Sequence, residues 1–223
     1  MTDFAPLLLA LRRGPRGAAP GVVNPYRDEL PGLDLPGAAR ARRRNLAAYL
    51  EQVGRPRLVL VGEALGYRGG RFSGIAFTSE RQLAGGPAHR LPWAANGRFA
   101  ATSANPALWL EPSGTVVWGA LGGAADGVLL WNAFPWHPAG ARGPLSNRAP
   151  ERRLLLANLH VLERLLAAVP GAAVLAVGRT AAVALEEIGA PAPALRHPAH
   201  GGASLFRAQL AKHLPGTDAR RAC

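Results

Sequence analysis

Cysteine is almost absent from this sequence of 223 residues, in which the only one is Cys223. A single cysteine cannot form a disulfide within the chain, and it is too few for a cysteine-ligated zinc site or a four-cysteine iron–sulfur cluster. We therefore expect no metal and no cofactor. The scarcity of cysteine also favours a reducing, cytoplasmic environment.

Long apolar segments are missing as well. Although 48% of the residues are hydrophobic, no uninterrupted apolar run approaches the roughly 20 residues that a transmembrane helix needs. The sequence therefore predicts no contact with a membrane. Its length and apolar content suffice for one globular domain with a full core. Because nothing in it indicates an obligate dimer, we expect a monomer.

Acidic residues and lysine are scarce beside arginine. Arginine and lysine number 26 against 14 acidic residues, for a formal net charge of +12, and the only lysine is Lys212. This balance favours a polyanionic partner such as nucleic acid, but GC-rich codon usage would produce the same abundance of arginine, alanine, glycine and proline. The charge alone leaves the partner open. Four arginines in a predicted helix over 38–53 are typical of a solvent-exposed face: Arg40, Arg42, Arg43 and Arg44.

Three short apolar runs, at 58–62, 128–132 and 174–178, predict strands of a parallel sheet that is covered on both faces. Helical patterns precede, separate and follow them, over 38–53, 104–110, 115–121, 151–168, 179–188 and 203–214.

This alternation predicts an α/β protein, with a single-domain, three-layer α/β/α sandwich and a short central parallel sheet. We expect residues 1–54 to form an N-terminal loop and helix that pack on the core. Residues 55–214 form the main domain, and residues 215–223 form a C-terminal tail.

Three clusters of polar residues follow predicted strands. Glu63 and a glycine-rich loop follow the first strand, Asn132 ends the second, and the segment from His197 to Gly202 follows the last αβ unit. The carboxyl ends of parallel strands meet at one edge of a sheet, where ligands bind. Together the clusters offer an acid, an amide, an imidazole and aromatic rings, which suits recognition of a planar polar ring.

Four motifs, in this order, resemble the uracil-DNA glycosylase superfamily. They are GEALG at 62–66, GIAFTSE at 74–80, WNAFPWHP at 131–138 and HPAHGG at 197–202; NRAPE at 147–151 and AVGRTAAVAL at 176–185 also match its bacterial branches. The likeness spans about residues 55–214. It resembles branches with a GEAxG-like first motif and lacks the cysteines of the iron–sulfur branch. The resemblance implies the family's fold for this segment.

The resemblance also implies roles for individual residues. Phe77 corresponds to the aromatic residue that stacks on an extruded base, and such stacking is worth about 1–3 kcal/mol. Asn132 corresponds to the asparagine that reads the base edge, because an amide can match the N3–H and O4 of uracil. His197 corresponds to the histidine that stabilises negative charge on the departing base.

Two acids are candidates for positioning the attacking water. The best-known branch has an aspartate at the third position of the first motif, where this chain has Ala64. Glu63 is the nearest carboxylate, as in GEAPG-like branches, and Glu80 is a second choice. A tyrosine that blocks the thymine methyl group in the best-known branch is replaced by Gly66. That replacement implies a wider pocket, which would admit 5-substituted uracils, thymine mispairs or deaminated purines.

Contacts with DNA are expected from two loops. Arg68 and Arg71 of the first loop could neutralise phosphates. In the second loop, where the family has an intercalating leucine, the sequence offers only His200, followed by Gly201. Three glycines of the first loop would let the backbone approach the strand: Gly69, Gly70 and Gly74.

The sequence therefore predicts a monofunctional DNA glycosylase that hydrolyses the N-glycosidic bond of uracil in DNA during base-excision repair, with other deaminated bases as a further substrate class. A lyase that cleaves the backbone needs an amine nucleophile, and Lys212 lies in the amphipathic pattern of the last helix. Two alternatives come from other classes. One is a catalytically reduced protein that binds nucleic acid or its damage, and the other is a hydrolase of free nucleosides or nucleotides.

Each site residue also has a purely structural interpretation. Glu63 could satisfy backbone donors at a helix N-terminus, Asn132 could belong to a turn, and His197 could be a loop histidine whose partners are satisfied. His197 and His200 have an H-x-x-H spacing, but no cysteine or acid lies nearby in the sequence to complete a metal site. The coincidence of all these structural roles at consecutive strand ends is less expected than one shared site.

Overall fold

The computed structural model describes residues 3–86 and 89–215, so nearly all of the predicted tail at 215–223 lies outside the described residues. Its strands are β1 (Val22–Val23), β2 (Leu58–Ala64), β3 (Val128–Phe134), β4 (His137–Gly140), β5 (Gly143–Asn147), β6 (Ala173–Val177) and β7 (Ala194–Leu195). Its α-helices are α1 (Ala5–Arg13), α2 (Ala38–Val53), α3 (Gly70–Ser73), α4 (Glu80–Ala84), α5 (Pro112–Leu121), α6 (Arg152–Ala157), α7 (His160–Ala168), α8 (Arg179–Glu187) and α9 (Ala203–Ala211).

A four-stranded parallel sheet lies at the centre, in the order β3-β2-β6-β7. β2 pairs in parallel with both β3 and β6, and the apolar residues of β2 and β3 are buried. α8 contacts β2, β3 and β6, while α2 and α7 contact β3. The predicted α/β fold class, with its short central parallel sheet, is confirmed, and the apolar runs belong to strands that helices cover.

The N-terminal segment packs on this core. α1 contacts α7, and α2 contacts the edge strand β3. Tyr49 of α2 is buried, and its hydroxyl accepts a hydrogen bond of 2.9 Å from the backbone N–H of Leu130. This contact satisfies a backbone donor on a strand edge that would otherwise be open to another chain.

The predicted helix over 151–168 is two helices, α6 and α7, because the helical hydrogen bonding is interrupted at Asn158. The side chain of this residue is buried: its Oδ1 accepts from the backbone N–H of Arg16, and its Nδ2 donates to the carbonyl oxygens of Arg16 in the N-terminal segment and of Leu154 in α6. A tertiary contact with the N-terminal segment therefore interrupts the amphipathic pattern.

The helix expected over 104–110 is wrong. The segment forms turns: the side chain of Asn105 accepts from the backbone N–H of Ala107, and Leu108 has a positive φ of 55°. An Asn-Pro pair favours such a local turn over a helix. The following helix, α5, begins at Pro112, three residues before the predicted start. No helix in the described ranges is long and apolar enough to cross a membrane.

A buried ion cluster corrects two predictions about arginine. Arg42 and Arg71 are fully buried, and both guanidinium groups bond the Asp34 carboxylate, at 2.8 Å and 2.8–2.9 Å. Arg42 was expected on a solvated face, and Arg71 was expected at a DNA phosphate. Both expectations fail because neither guanidinium reaches solvent. Their shared partner Asp34 ties the N-terminal segment to the loop after β2.

A small antiparallel sheet in the order β1-β4-β5 flanks the cavity described below. His137 of β4 is fully buried, and its ring nitrogens lie 2.8 Å from the carbonyl oxygen of Leu65 and 3.1 Å from that of Pro144. The histidine thus joins the β4–β5 hairpin to the loop that follows β2. The hairpin in turn places Asn147 and Arg148 beside that loop.

Candidate active site

One cavity of about 250 Å³ lies at the carboxyl edge of the parallel sheet. It brings together four residues that the sequence placed in separate motifs: Glu63, Phe77, Asn132 and His197. Further lining comes from Ala64, Leu65, Gly66, Glu111, Ser113, Asn147, Arg148, Ala199 and His200.

Strand register explains this convergence. Gly62 of β2 lies directly opposite Asn132 of β3, so Glu63 and Asn132 stand near the carboxyl ends of neighbouring strands. β7 pairs with β6 and ends two residues before His197. A Cβ atom at Gly178, just after β6, would lie 3.4 Å from the Cβ of His197. Four parallel strand ends therefore hold the site.

The two base-binding candidates, Phe77 and Asn132, both lie close to the backbone of Gly62. A Cβ atom at Gly62 would lie 2.6 Å from Oδ1 of Asn132 and would overlap the tip of the Phe77 ring. Phe77 is buried and has a positive φ of 52°, a conformation that costs a bulky residue energy and is common at functional sites. Asn132 is 3% exposed and lies two residues before the end of β3, where it lines the cavity.

His197 has a defined tautomer. The backbone N–H of Ala199 donates to its Nδ1 at 3.1 Å, so the neutral ring carries its proton on Nε2 and can act as a donor from that atom. Burial lowers the pKa of the imidazole, and His200 and Arg196 lower it further, against the opposing charge of Glu63. The ring centroid lies 6.5 Å from that of Phe77.

Glu63 is held by a residue that the sequence analysis did not assign. The hydroxyl of Thr180, in the first turn of α8, donates to Oε2 of Glu63 at 2.5 Å. Thr180 lies within the AVGRTAAVAL segment that matched the family, so the motif carried a signal, but no spacing rule linked it to Glu63. The bond leaves the second carboxylate oxygen of Glu63 for another donor.

Glu80, the second candidate for positioning water, lies elsewhere. It is fully buried, and its carboxylate accepts from the backbone N–H groups of Thr102 and Ser103 and from the Ser103 hydroxyl. All of its contacts are structural, and it does not line the cavity. Glu63 is the candidate that the fold brings to the site.

The glycines of the first loop pack closely against other groups of the same chain. A Cβ atom at Gly69 would overlap the Glu111 carboxylate, one at Gly70 would overlap the Leu65 side chain, and one at Gly74 would lie 2.6 Å from the carbonyl oxygen of Arg42. These positions are therefore glycine because of close packing within the chain, and not, as expected, to let the backbone approach DNA.

The remaining DNA-binding candidates are exposed beside the cavity. Arg68 is exposed, and its guanidinium contacts the Tyr67 ring at 5.4 Å from the centroid and donates to the Tyr67 hydroxyl. His200 and Gly201 are also exposed, and both have positive φ values, of 51° and 74°. They form a tight protruding turn between His197 and α9.

Two further acidic or polar groups were missed by the sequence analysis. Glu111 precedes α5 and lines the cavity; the late predicted start of that helix hid its position. Asn147 accepts a hydrogen bond from the backbone N–H of Tyr67 at 3.0 Å, and only the NRAPE motif pointed to it. Within the described ranges, no three histidine, cysteine or acidic side chains are grouped to hold a metal ion.

Comparison with known proteins agrees with this architecture. The model of the uracil DNA glycosylase superfamily matches residues 50–214, and the chain belongs to that superfamily. The structure is similar to that of wild-type SMUG2 from Pedobacter heparinus, with a TM-score of 0.63 and 15% sequence identity over 96% of this chain and 97% of that one. No curated protein matched the sequence. The family match supports a DNA glycosylase, and the structural match supports the fold.

Proposed function

We propose that this protein is a monofunctional DNA glycosylase that hydrolyses the N-glycosidic bond of uracil in DNA. The observation that carries the proposal is the convergence of Glu63, Phe77, Asn132 and His197 on one cavity at the carboxyl edge of the sheet. A base inside a duplex cannot reach this cavity, so the nucleotide is extruded, at a cost of a few kcal/mol. Other deaminated bases extend the proposal, because Gly66 has no side chain of its own and the polar groups beside it, Glu111 and Asn147, could pair with them.

Recognition of the base falls to Phe77 and Asn132. The Phe77 ring replaces the stacking that the base loses on leaving the duplex. The Asn132 amide donates to O4 of uracil and accepts from N3–H; cytosine presents the opposite pattern at these two positions. A buried amide that the wrong base leaves unpaired penalises that base strongly.

The reaction exchanges one bond for another at C1′ of the sugar. The bond from C1′ to N1 of uracil breaks, and its electron pair leaves with the base. A water molecule adds to C1′, and the proton that it loses ends on uracil. His197 stabilises the developing charge on O2 by donating from Nε2; loss of such a donor typically slows a reaction about 10²–10³-fold.

Glu63 orients the water in this proposal. Its Oε2 accepts from Thr180, which leaves Oε1 to accept a hydrogen bond from the water and direct the lone pair of the water oxygen toward C1′. The acid lies near His197, since its charge raises the pKa of that imidazole. The group that orients the water, Glu63, and the group that stabilises the base anion, His197, are therefore neighbours.

DNA binding draws on the net charge of +12 and on exposed groups beside the cavity. In this proposal Arg68 contacts a phosphate, and the turn at His200 and Gly201 meets the strand that carries the extruded nucleotide. We propose that the protein works as a monomer, in the reducing setting of the cytoplasm. Its affinity for DNA should fall steeply with salt.

A base-release assay tests the proposal. Single- and double-stranded oligonucleotides carrying uracil, hypoxanthine, xanthine or a thymine mispair are incubated with enzyme, and alkali then cleaves abasic sites. We expect the wild type to cleave the uracil strands, and Asn132→Ala and His197→Ala to reduce the rate at least about a hundredfold.

The other outcomes identify the alternatives. Release of deaminated purines without release of uracil would keep the chemistry and change the substrate. Binding to every strand without release of any base would favour a nucleic-acid-binding protein. Hydrolysis of free nucleosides with no dependence on salt would favour the mononucleotide hydrolase.

A further inference from the structure

The cavity contains a second carboxyl group that the proposed mechanism does not use. Glu111 stands at the position before α5, yet its side chain makes no capping hydrogen bond to that helix. An acid at a helix N-terminus ordinarily turns toward the free backbone N–H groups. Glu111 instead extends across the cavity wall toward the loop that follows β2.

Glycines surround the Glu111 carboxyl group. A Cβ atom at Gly69 would overlap it, one at Gly66 would lie 3.0 Å from Oε1, and one at Gly114 would lie 3.1 Å from Oε2. Any side chain at Gly66 or Gly69 would press on the acid. The glycine-rich character of the first loop is thus explained in part by the room that Glu111 occupies.

The two carboxyl oxygens of Glu111 have different surroundings. Oε2 is sealed from solvent and has no hydrogen-bond partner among the described residues. Oε1 borders the cavity beside Gly66 and Asn147. A sealed oxygen without a donor is poorly suited to carry negative charge, so the neutral acid, with Oε2 as its carbonyl oxygen and the proton on Oε1, fits the site better than the anion.

We propose that Glu111 is a further base-reading residue, whose neutral carboxyl group donates a hydrogen bond from Oε1 to a carbonyl oxygen or ring nitrogen of the extruded base. This inference rests on the proposed function and deepens it. The cavity then holds two acids with separate tasks. Glu63 accepts a hydrogen bond from Thr180 and orients the water, while Glu111, whose Oε2 has no partner among the described residues, reads the base.

The titration of Glu111 is consistent with this role. Burial raises the pKa of its carboxyl group to about 7, whereas an ordinary glutamate has a pKa near 4.3. The ionisable groups on the surrounding cavity elements and on the adjoining loop are Glu63, Tyr67, Arg68, Arg148, His197 and His200. Burial, and not the charge of any of these, is the cause of the shift.

The test compares wild type with Glu111→Gln and Glu111→Ala. The amide of glutamine keeps a donor at all pH values, whereas alanine has none. Single-turnover base release from a uracil strand and from a hypoxanthine strand is measured from pH 5.5 to 9, with Glu163→Gln on the exposed side of α7 as the control. Thermal melting of each variant reports folding.

We expect the wild-type rate to fall above about pH 7, toward tenfold per pH unit. Glu111→Gln should keep the rate within a few-fold at pH 6 and lose this decline. Glu111→Ala should release base at about a hundredth of the wild-type rate at pH 6, and this difference should shrink as the wild-type rate declines above pH 7. The control should follow the wild type. The same decline in Glu111→Gln as in the wild type, or full activity in Glu111→Ala, would overturn the proposal.

A second measurement does not depend on catalysis. With ¹³C at the glutamate carboxyl carbons, the NMR signal missing from Glu111→Gln is that of Glu111, and its midpoint should lie near pH 7. A midpoint near that of an ordinary glutamate overturns the inference. If the wild type releases no base from any strand, the proposed function fails. In that case the inference is tested by binding to a strand that carries the non-cleavable 2′-fluoro uracil nucleotide. If the affinity weakens above pH 7 only when Glu111 is present, the inference is supported. If the affinity of the wild type does not depend on pH, the inference is contradicted.

Discussion

Asn132 and Gly62 lie opposite each other in the β2–β3 ladder, and a Cβ atom at Gly62 would lie 2.6 Å from the amide oxygen of Asn132. The same atom would overlap the Phe77 ring. The Phe77 ring and the Asn132 amide can both lie this close to position 62 only because it has no side chain. The first glycine of the GEALG motif therefore shapes the floor of the cavity.

Gly62→Ala should slow base release by about a hundredfold, because even a displacement of about 1 Å of a binding group can have that effect. The overpacked wall should also cost about 1–3 kcal/mol of unfolding free energy. Single-turnover release from a uracil strand and urea denaturation measure the two effects. Gly119→Ala in α5 is a matched control, since a Cβ atom there meets nothing within 4 Å. A Gly62→Ala enzyme as fast as the control would contradict this account of the floor.

Thr180 should control the orientation of Glu63. The Thr180→Val substitution keeps the shape of the side chain but removes the hydroxyl that donates to Oε2 of Glu63. We therefore expect the rate of base release to fall about tenfold, with little change in the KM for the DNA strand. Thr180→Ser retains the hydroxyl and should stay near the wild-type rate. Steady-state kinetics of both variants make the comparison. Equal rates for the valine and serine variants would mean that Glu63 is positioned without this bond.

Substitutions of Arg68 and Arg71, two arginines of the same loop, should affect different properties of the protein. Arg71→Gln removes one partner of a buried ion cluster around Asp34, which should cost about 3–5 kcal/mol of unfolding free energy. Arg68→Gln changes an exposed residue, so its stability should stay within about 0.5 kcal/mol. Instead, the salt dependence of its DNA affinity, the slope of log K against log salt, should decrease by about 1.

Urea denaturation and fluorescence titration of DNA at several salt concentrations test this pair. We expect Arg71→Gln to change the unfolding free energy, and Arg68→Gln to change the salt dependence of the DNA affinity. A loss of salt slope in a stable Arg71→Gln variant would restore Arg71 as a phosphate contact.

His137 should make the fold sensitive to acid. Burial lowers the pKa of its imidazole to about 4, with further lowering by Arg71 and Arg148, against the raising effect of the Leu65 and Pro144 carbonyls. The unfolded chain binds the proton near pH 6.5, so this contribution to stability is complete above pH 6.5 and is lost as the pH falls toward 4. The shift corresponds to about 3 kcal/mol.

The measurement is the unfolding free energy at pH 7 and at pH 4.5, for the wild type and for His137→Gln. The wild type should lose more stability than the variant over this interval, because glutamine does not titrate. Parallel losses in the two proteins would show that groups other than His137 cause the acid sensitivity.

The local pattern of the sequence was enough to predict three of the four strands of the parallel sheet and the convergence of most of the candidate site residues. The runs at 58–62, 128–132 and 174–178 are apolar because both faces of the parallel strands are covered, and that burial is visible in composition alone. Since polar residues directly after such runs lie at one sheet edge, Glu63, Asn132 and His197 could be placed together, and the family motifs assigned Phe77.

Only the tertiary structure decided which charged groups are buried and which face the cavity. Asp34 lies 37 residues from Arg71, and no local period records such a pairing, so Arg42 and Arg71 looked like surface residues. The break at Asn158 depends on Arg16, 142 residues away. Glu111 reaches the cavity because three glycines from two segments leave room for it. Periodicity reports how much of a segment is buried, whereas the partner that makes a buried charge tolerable is chosen by the fold.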